Sequence, residues 1–223
     1  MTHTRHHDAR SQLSNALRSP DPSARLRAAL SAGTRPREEY VEVLVQRCAV
    51  EPDFFVRDML TWALTRHDPP SILDRVLAEL TSEVPQARSQ ALHTLSKFGD
   101  RRAWPAITDD LLRDDDPEVA RAAWRTAVAL VPDGAVADLA QVLATQFDRG
   151  DREVRRSLSR AFVDLGDPGH AVVRAATTHP DAGVRRHAMA TDRLIRNPDE
   201  GFEAAVDEAN RVLAVLGAPV VGG

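Results

Sequence analysis

The side chains of this sequence best equipped for chemistry are arginines, a few aromatics and eight histidines. Arg25, Arg57, Arg88, Arg121, Arg155 and Arg185 recur at intervals of 32, 31, 33, 34 and 30 residues. A guanidinium carries five donors in a planar fork, so such a ladder could bind phosphates or tie turns together. Each arginine follows Ala or Val and an acidic or proline-bearing turn, as in SPDPSAR, EPDFFVR and DDPEVAR. That shared context favours a structural tie, from an acidic turn of one repeat to the carbonyls of a neighbour.

Other chemistries have less to stand on. Asp58 lies four residues before Trp62, the one pairing of an acid and an aromatic on what reads as an exposed face. His93 shares that face, but no H-E-x-x-H pattern accompanies it. His3, His6 and His7 could touch a metal, yet they fall in a stretch (1–8) that reads as a flexible tail. Asp114, Asp115 and Asp116 lack the glycine and spacing of a calcium loop and read as a helix-start turn. The single cysteine, Cys48, supports neither an internal disulfide nor a Cys-based zinc site and fits a reducing cytoplasm. A Gly-rich phosphate loop, a G-x-S-x-G elbow and a nucleophile–base pair are all missing. The expectation is a non-catalytic protein without cofactor or metal.

The elements that must position these residues follow from the repeat. The chain is 43% hydrophobic and 4% aromatic, rich in Ala, Leu, Arg and Asp, which favours helices. With no long apolar run, a membrane span is not expected. Asp21, Asp53, Asp151 and Asp181 lie four residues before their arginines, where a carboxylate caps a helix start; Glu83 and Asp116 lie one residue earlier. Each arginine therefore marks a second helix, and first helices are expected near 9–18, 37–49, 70–80, 103–112, 134–147 and 168–177. A last helix near 199–216 would cap the end. Trp124 falls at a packing position, and Trp104 at the start of a first helix.

At 100° per residue, positions −1, +3, +6, +7 and +10 from each arginine gather near 285°, a small-residue packing stripe. Positions +1, +5 and +8 gather near 105° and should be exposed. Along the chain they give Leu26, Leu30, Gly33, Asp58, Trp62, Thr65, Ser89, His93, Ser96, Ala122, Thr126, Ala129, Arg156, Arg160, Val163, Arg186, Ala190 and Arg193, with Arg125 at the edge. The early positions are apolar and aromatic, while the late ones collect arginine. The segment 149–196 holds ten arginines against six acids in a chain whose net charge is −4. A basic stretch on an acidic protein suggests an anionic partner.

These phased copies resemble HEAT repeats, most closely the short variety first associated with phycobilin lyases, with GDRRA (99–103) and DDPEVAR (115–121) the clearest match. The resemblance implies an all-α, right-handed α-solenoid of about six helix–turn–helix repeats with a C-terminal capping helix. It would occupy residues 9–216 as one domain between tails 1–8 and 217–223. It also implies that second helices line a concave groove, so that Leu26, Leu30, Asp58, Trp62, His93, Arg125, Arg156, Arg160, Arg186 and Arg193 would bind a partner. The expected partner is a protein or peptide with an acidic segment. Similar domains accompany MerR-type regulators in bacteria, so an accessory role in transcription is a variant of this reading. The alternative is a HEAT-like DNA glycosylase, with Trp62 and Asp58 as its pair, or a nucleic-acid-binding protein. One lysine, Lys97, and acidic central repeats disfavour nucleic acid.

Overall fold

The computed structural model describes residues 2–199 and 201–216, with side chains for all of these except 2–8, 69–71 and 215–216. Among the described residues there is no strand, and the α-helices follow one another in pairs. They are α1 (Thr2–Ala16), α2 (Pro22–Thr34), α3 (Val41–Cys48), α4 (Phe54–Thr65), α5 (Pro69–Ala78), α6 (Pro85–Phe98) and α7 (Asp109–Leu112). After them come α8 (Pro117–Leu130), α9 (Val136–Ala144), α10 (Arg152–Asp164), α11 (Asp167–Ala176), α12 (Ala182–Arg196) and α13 (Phe202–Leu216). The even-numbered helices α2, α4, α6, α8, α10 and α12 carry the six repeated arginines as expected. From α3 onward the first helices are shorter, several beginning or ending in a 3-10 turn. The first extends back to Thr2, beyond the expected start at residue 9.

The caps explain these starts. Asp21, Asp53, Asp151 and Asp181 each accept backbone N–H groups of the first turn. Asp116 does the same for α8, accepting from Glu118 and Val119 at 2.9 and 3.1 Å. Such a cap stabilises a helix by about 1 kcal/mol. Glu83 caps nothing: α6 starts at Val84–Pro85 without a side-chain cap. Proline sets the backbone there and removes one orphan donor.

The chain forms two compact units, Met1–Leu130 and Val131–Gly223. In the first, second helices stack successively, α2 on α4, α4 on α6 and α6 on α8, with α3 against α4 and α5 against α6. Leu44, Leu60, Leu64, Ile72, Leu92, Leu95 and Trp124 are almost wholly buried there, and the Trp124 indole donates to Leu112 O at 2.8 Å. In the second unit α12 packs on α10, α11 and α13. Its core holds Leu143, Leu158, Phe162 and Phe147, whose rings stack at 5.0 Å. Cys48 is buried in α3, which pushes its thiol pKa up to about 12 and leaves it an inert packing group.

The repeated arginines are ties, but in the reverse sense to that expected. The fork turns back on the carbonyls of its own turn: Arg25 donates to Ser19 O and Pro20 O, Arg57 to Glu51 O and Pro52 O, Arg88 to Ser82 O, and Arg185 to His179 O and Pro180 O. Two of them also reach a carboxylate of the following repeat. Arg25 pairs bidentately with Glu51 at 2.8 and 2.7 Å, and Arg88 with Asp114 at 2.9 and 3.0 Å. Arg121 departs from the pattern and pairs with Glu118 in its own helix.

Glu51 is the most enclosed of these carboxylates, with no solvent exposure. Burial alone would raise its pKa, but bonds from Arg25, the Asp53 N–H and Arg47 outweigh that and hold it below the ordinary range. Glu51→Ala would strand a buried guanidinium, a change that costs about 3–5 kcal/mol. All three tryptophans lie in the first unit, so urea unfolding followed by tryptophan fluorescence should report that loss there. A loss below about 1 kcal/mol would mean the tie is not structural.

Candidate functional site

The ten residues expected to bind a partner divide between the units. Leu26 and Leu30 on α2, Asp58 and Trp62 on α4, His93 on α6 and Arg125 on α8 belong to the first. Arg156 and Arg160 on α10, with Arg186 and Arg193 on α12, belong to the second. None of the ten is buried.

Within the first unit the structure draws several of them together. The Trp62 ring lies against Gly33 of α2, and Arg66 sits 5.9 Å from the ring centroid. The ring is thus partly covered by α2, and Trp62 remains 37% exposed; Leu30, one turn before Gly33, is exposed too. Asp58 Oδ1 lies 3.8 Å from His93 Nε2. Burial, then Arg125 and Lys97, hold the His93 pKa below its ordinary value, with Asp58 opposing them. Leu26 is half-buried on the turn of α2 before Leu30.

Part of the stripe expected to be exposed is not. Gly33, Ala122, Thr126 and Ala190 are buried. In the first unit the reason is that second helices stack on one another, α2 on α4 and α6 on α8, while Ala190 is covered by Ala205 and Ala209 of α13. The Thr126 hydroxyl lies 2.8 Å from Leu92 O of α6, and a Cβ at Gly33 would fall 2.4 Å from a Trp62 ring atom. Exposed aromatics occur instead at Phe54 and Phe55, in edge-to-face contact at 5.7 Å, which the wheel did not single out.

In the second unit, Arg156 is exposed and makes no ion pair among the described residues. Arg160, one turn later, pairs with Asp164 at 3.2 Å, and Arg193 lies 3.9 Å from Glu208. Arg186 turns toward Asp148, at 3.8 Å, which also accepts from Arg155 at 3.2 Å. Asp148 has a left-handed backbone (φ 63°), a conformation that short polar side chains tolerate. That geometry aims its N–H at His187 Nδ1, 3.0 Å away.

His187 is the residue that sequence reasoning missed. It lies two positions after a repeated arginine, in no shared column, and is 3% exposed. Its Nε2 lies 3.0 Å from both Arg155 O and Ser159 Oγ, while Ser159 meets Thr191 Oγ1 at 2.7 Å. Because Nδ1 accepts, the proton must reside on Nε2, and the ring is neutral. Rings of Phe147 and Phe202 flank it. Burial pushes its pKa down to about 4. The serine is as enclosed as the histidine, so the pair is a satisfied core network and not a nucleophile with its base. Over it opens a cavity of about 190 Å³ lined by Arg152, Arg155, Arg186, His187, Phe202, Glu203 and Val206.

No metal-holding group of three His, Cys, Asp or Glu side chains occurs among the described residues; the side chains of His3, His6 and His7 lie outside them. Asp114 and Asp116 are used as an arginine partner and a cap. No described helix is long and apolar enough to cross a membrane.

A family model of HEAT repeats matches residues 53–129 and 73–158, which supports a HEAT-repeat protein. The all-α architecture of consecutively packed helices is consistent with a solenoid of HEAT repeats. No curated protein matches the chain in sequence. HEAT repeats generally serve as protein-interaction scaffolds and are typically non-catalytic.

Two measurements test this local geometry. Gly33→Ala gains about 1 kcal/mol of helix propensity, yet its Cβ would meet Trp62 and the Ala63 Cα at 2.4 and 2.8 Å. The expected net result is a loss of about 1–3 kcal/mol with Trp62 emission shifted to the red; a more stable variant would refute the close approach. For His187, an NMR titration should find a neutral ring at pH 6 with a midpoint near 4. A histidine charged more easily when unfolded destabilises the fold as pH falls from about 6.5 to about 4, here by about 3 kcal/mol. His187→Gln, which cannot be protonated, should flatten that part of the stability profile. A wild-type midpoint near 6.5 would contradict the burial.

Proposed function

We propose that the protein is a non-catalytic binding module whose partner is a protein or peptide carrying an acidic segment. The observation that carries this reading is the exposed arginine face of α10 and α12. Arg156 and Arg160 stand one turn apart on α10, Arg156 without an ion pair among the described residues, and Arg186 and Arg193 extend the positive charge on α12. Carboxylates in a flexible acidic stretch can meet such forks bidentately. Trp62 and Leu30 would receive apolar anchors, since exposed aromatics commonly form the hot spots of interfaces. An accessory role beside a DNA-binding regulator is compatible with such a module.

The glycosylase alternative gains nothing comparable. Asp58 lies 3.8 Å from His93, and the few cations of that neighbourhood, Arg66, Lys97 and Arg125, stand in a stretch (37–148) where acidic residues outnumber basic ones, a poor setting for phosphate contacts.

Affinity capture from nuclease-treated and untreated lysate tests the proposal. Wild type should retain a protein with an acidic segment in both extracts, and Arg156→Ala/Arg160→Ala should weaken retention about tenfold or more with unchanged circular dichroism. Unchanged affinity would refute the placement. Retention only in untreated extract would favour nucleic acid.

A further inference from the structure

The cavity beside Arg186 has a composition of its own. Its floor is the flank of the neutral His187 ring, whose two nitrogens are already engaged by the Asp148 N–H and by Arg155 O and Ser159. Its walls are Phe202 and Val206 of α13, so the interior is largely apolar. Its rim is charged: Arg152 pairs with Glu203 at 2.5 Å, and Arg155 and Arg186 lean toward Asp148. Three guanidinium groups face one lining carboxylate, so the mouth keeps a positive surplus.

Size narrows the occupant. At about 190 Å³ the cavity is smaller than the space that whole small-molecule ligands occupy, which begins at about 300 Å³. One aliphatic side chain fits it. Arg186 belongs both to this rim and to the arginine face of α10 and α12, so a chain lying along that face passes the mouth.

We infer that this cavity is a specificity pocket that takes a single aliphatic side chain of the partner, leucine-sized, flanked by carboxylates that engage Arg152 and Arg186. The inference rests on the acidic-partner reading and sharpens it to a motif: an aliphatic residue set among Asp and Glu. The cavity supplies apolar contact and the rim supplies register, a division of labour common to peptide grooves.

A synthetic peptide set of the form Glu-Glu-Glu-X-Glu-Glu-Glu, with X varied over the natural amino acids, tests it by fluorescence anisotropy on the full chain. Wild type should bind X = Leu, Ile or Met at least about tenfold more tightly than X = Ser or Glu, as burial of one aliphatic side chain implies. Val206→Phe, which fills the cavity, should abolish that preference and leave binding of X = Glu intact. Arg152→Ala, at an exposed position, serves as a second variant and should weaken every peptide while keeping the preference. Binding of all peptides alike, lost in Arg156→Ala/Arg160→Ala, would overturn the pocket and leave the acidic-partner reading standing. Failure of every peptide to bind wild type would overturn both. A preference that survives Val206→Phe in a folded variant would place the aliphatic residue elsewhere and overturn the pocket.

Discussion

Four second helices, α2, α4, α6 and α12, begin at a turn whose carbonyls lie outside the helical ladder and accept from the repeated arginine. Backbone acceptors in that position must be satisfied by water, by a side chain or by distortion. The repeated arginine meets the need with one planar group, because it sits one helical turn inside the helix and its fork reaches back five and six residues. Arg25, Arg57 and Arg185 each hold two such carbonyls, and Arg88 holds one. Where the site closes over, the charge itself needs a partner, and the next repeat supplies it through Glu51 or Asp114. Where the turn is open, as at Arg185, the carbonyls suffice. The spacing of about 32 residues thus records a constraint on turns, and adjacent repeats are joined wherever that constraint becomes a buried charge.

Close stacking of second helices imposes a further condition. Small residues let the helices approach, as at Gly33 beneath Trp62, and polar residues caught in the seam must find partners away from water. Thr126 bonds to Leu92 O across α6 and α8, while Ser159, Thr191 and His187 close a loop of bonds between α10 and α12. Together these seams give the stack its register. They also explain why His187 stays neutral and why Asp148 holds a left-handed backbone.

The turns were legible in the sequence because they are local: an acid, a short spacing and an arginine suffice, and five of six acids cap as expected, Glu83 being the exception. The exposed stripe was legible only in part. A helical wheel distinguishes the side facing the first helix, but it carries no signal for which remaining flank meets the next second helix. Ala122 and Thr126 were therefore misplaced, and so was Ala190, which packs on Ala205 and Ala209 of α13. Of the His187 cavity only Arg155 and Arg186 hold repeat positions; Arg152, His187, Phe202, Glu203 and Val206 occur once on α10, α12 and α13, so the repeat pattern could not show that they meet. A sequence pattern built on repetition sees what the repeats have in common and overlooks what one of them has alone.

The arginines of α10 also conflict with their own helix. Arg152, Arg155 and Arg156 crowd its first turns, where the helix dipole favours acids, and Arg156 and Arg160 stand at the i, i+4 spacing at which like charges repel. Each effect costs only a few tenths of a kcal/mol on an exposed surface, and Asp148, Glu203 and Asp164 offset part of it. Arg156 is left uncompensated among the described residues. Four of the other five repeats place a neutral residue or an acid at the same position, Leu26, Asp58, Ser89 and Ala122, and only the sixth repeats the cation, as Arg186, so neither the turn nor the stacking requires a cation there. A local rule broken without structural return is the mark of a surface shaped for something outside the fold. An acidic segment laid along α10 would supply the missing counter-charge.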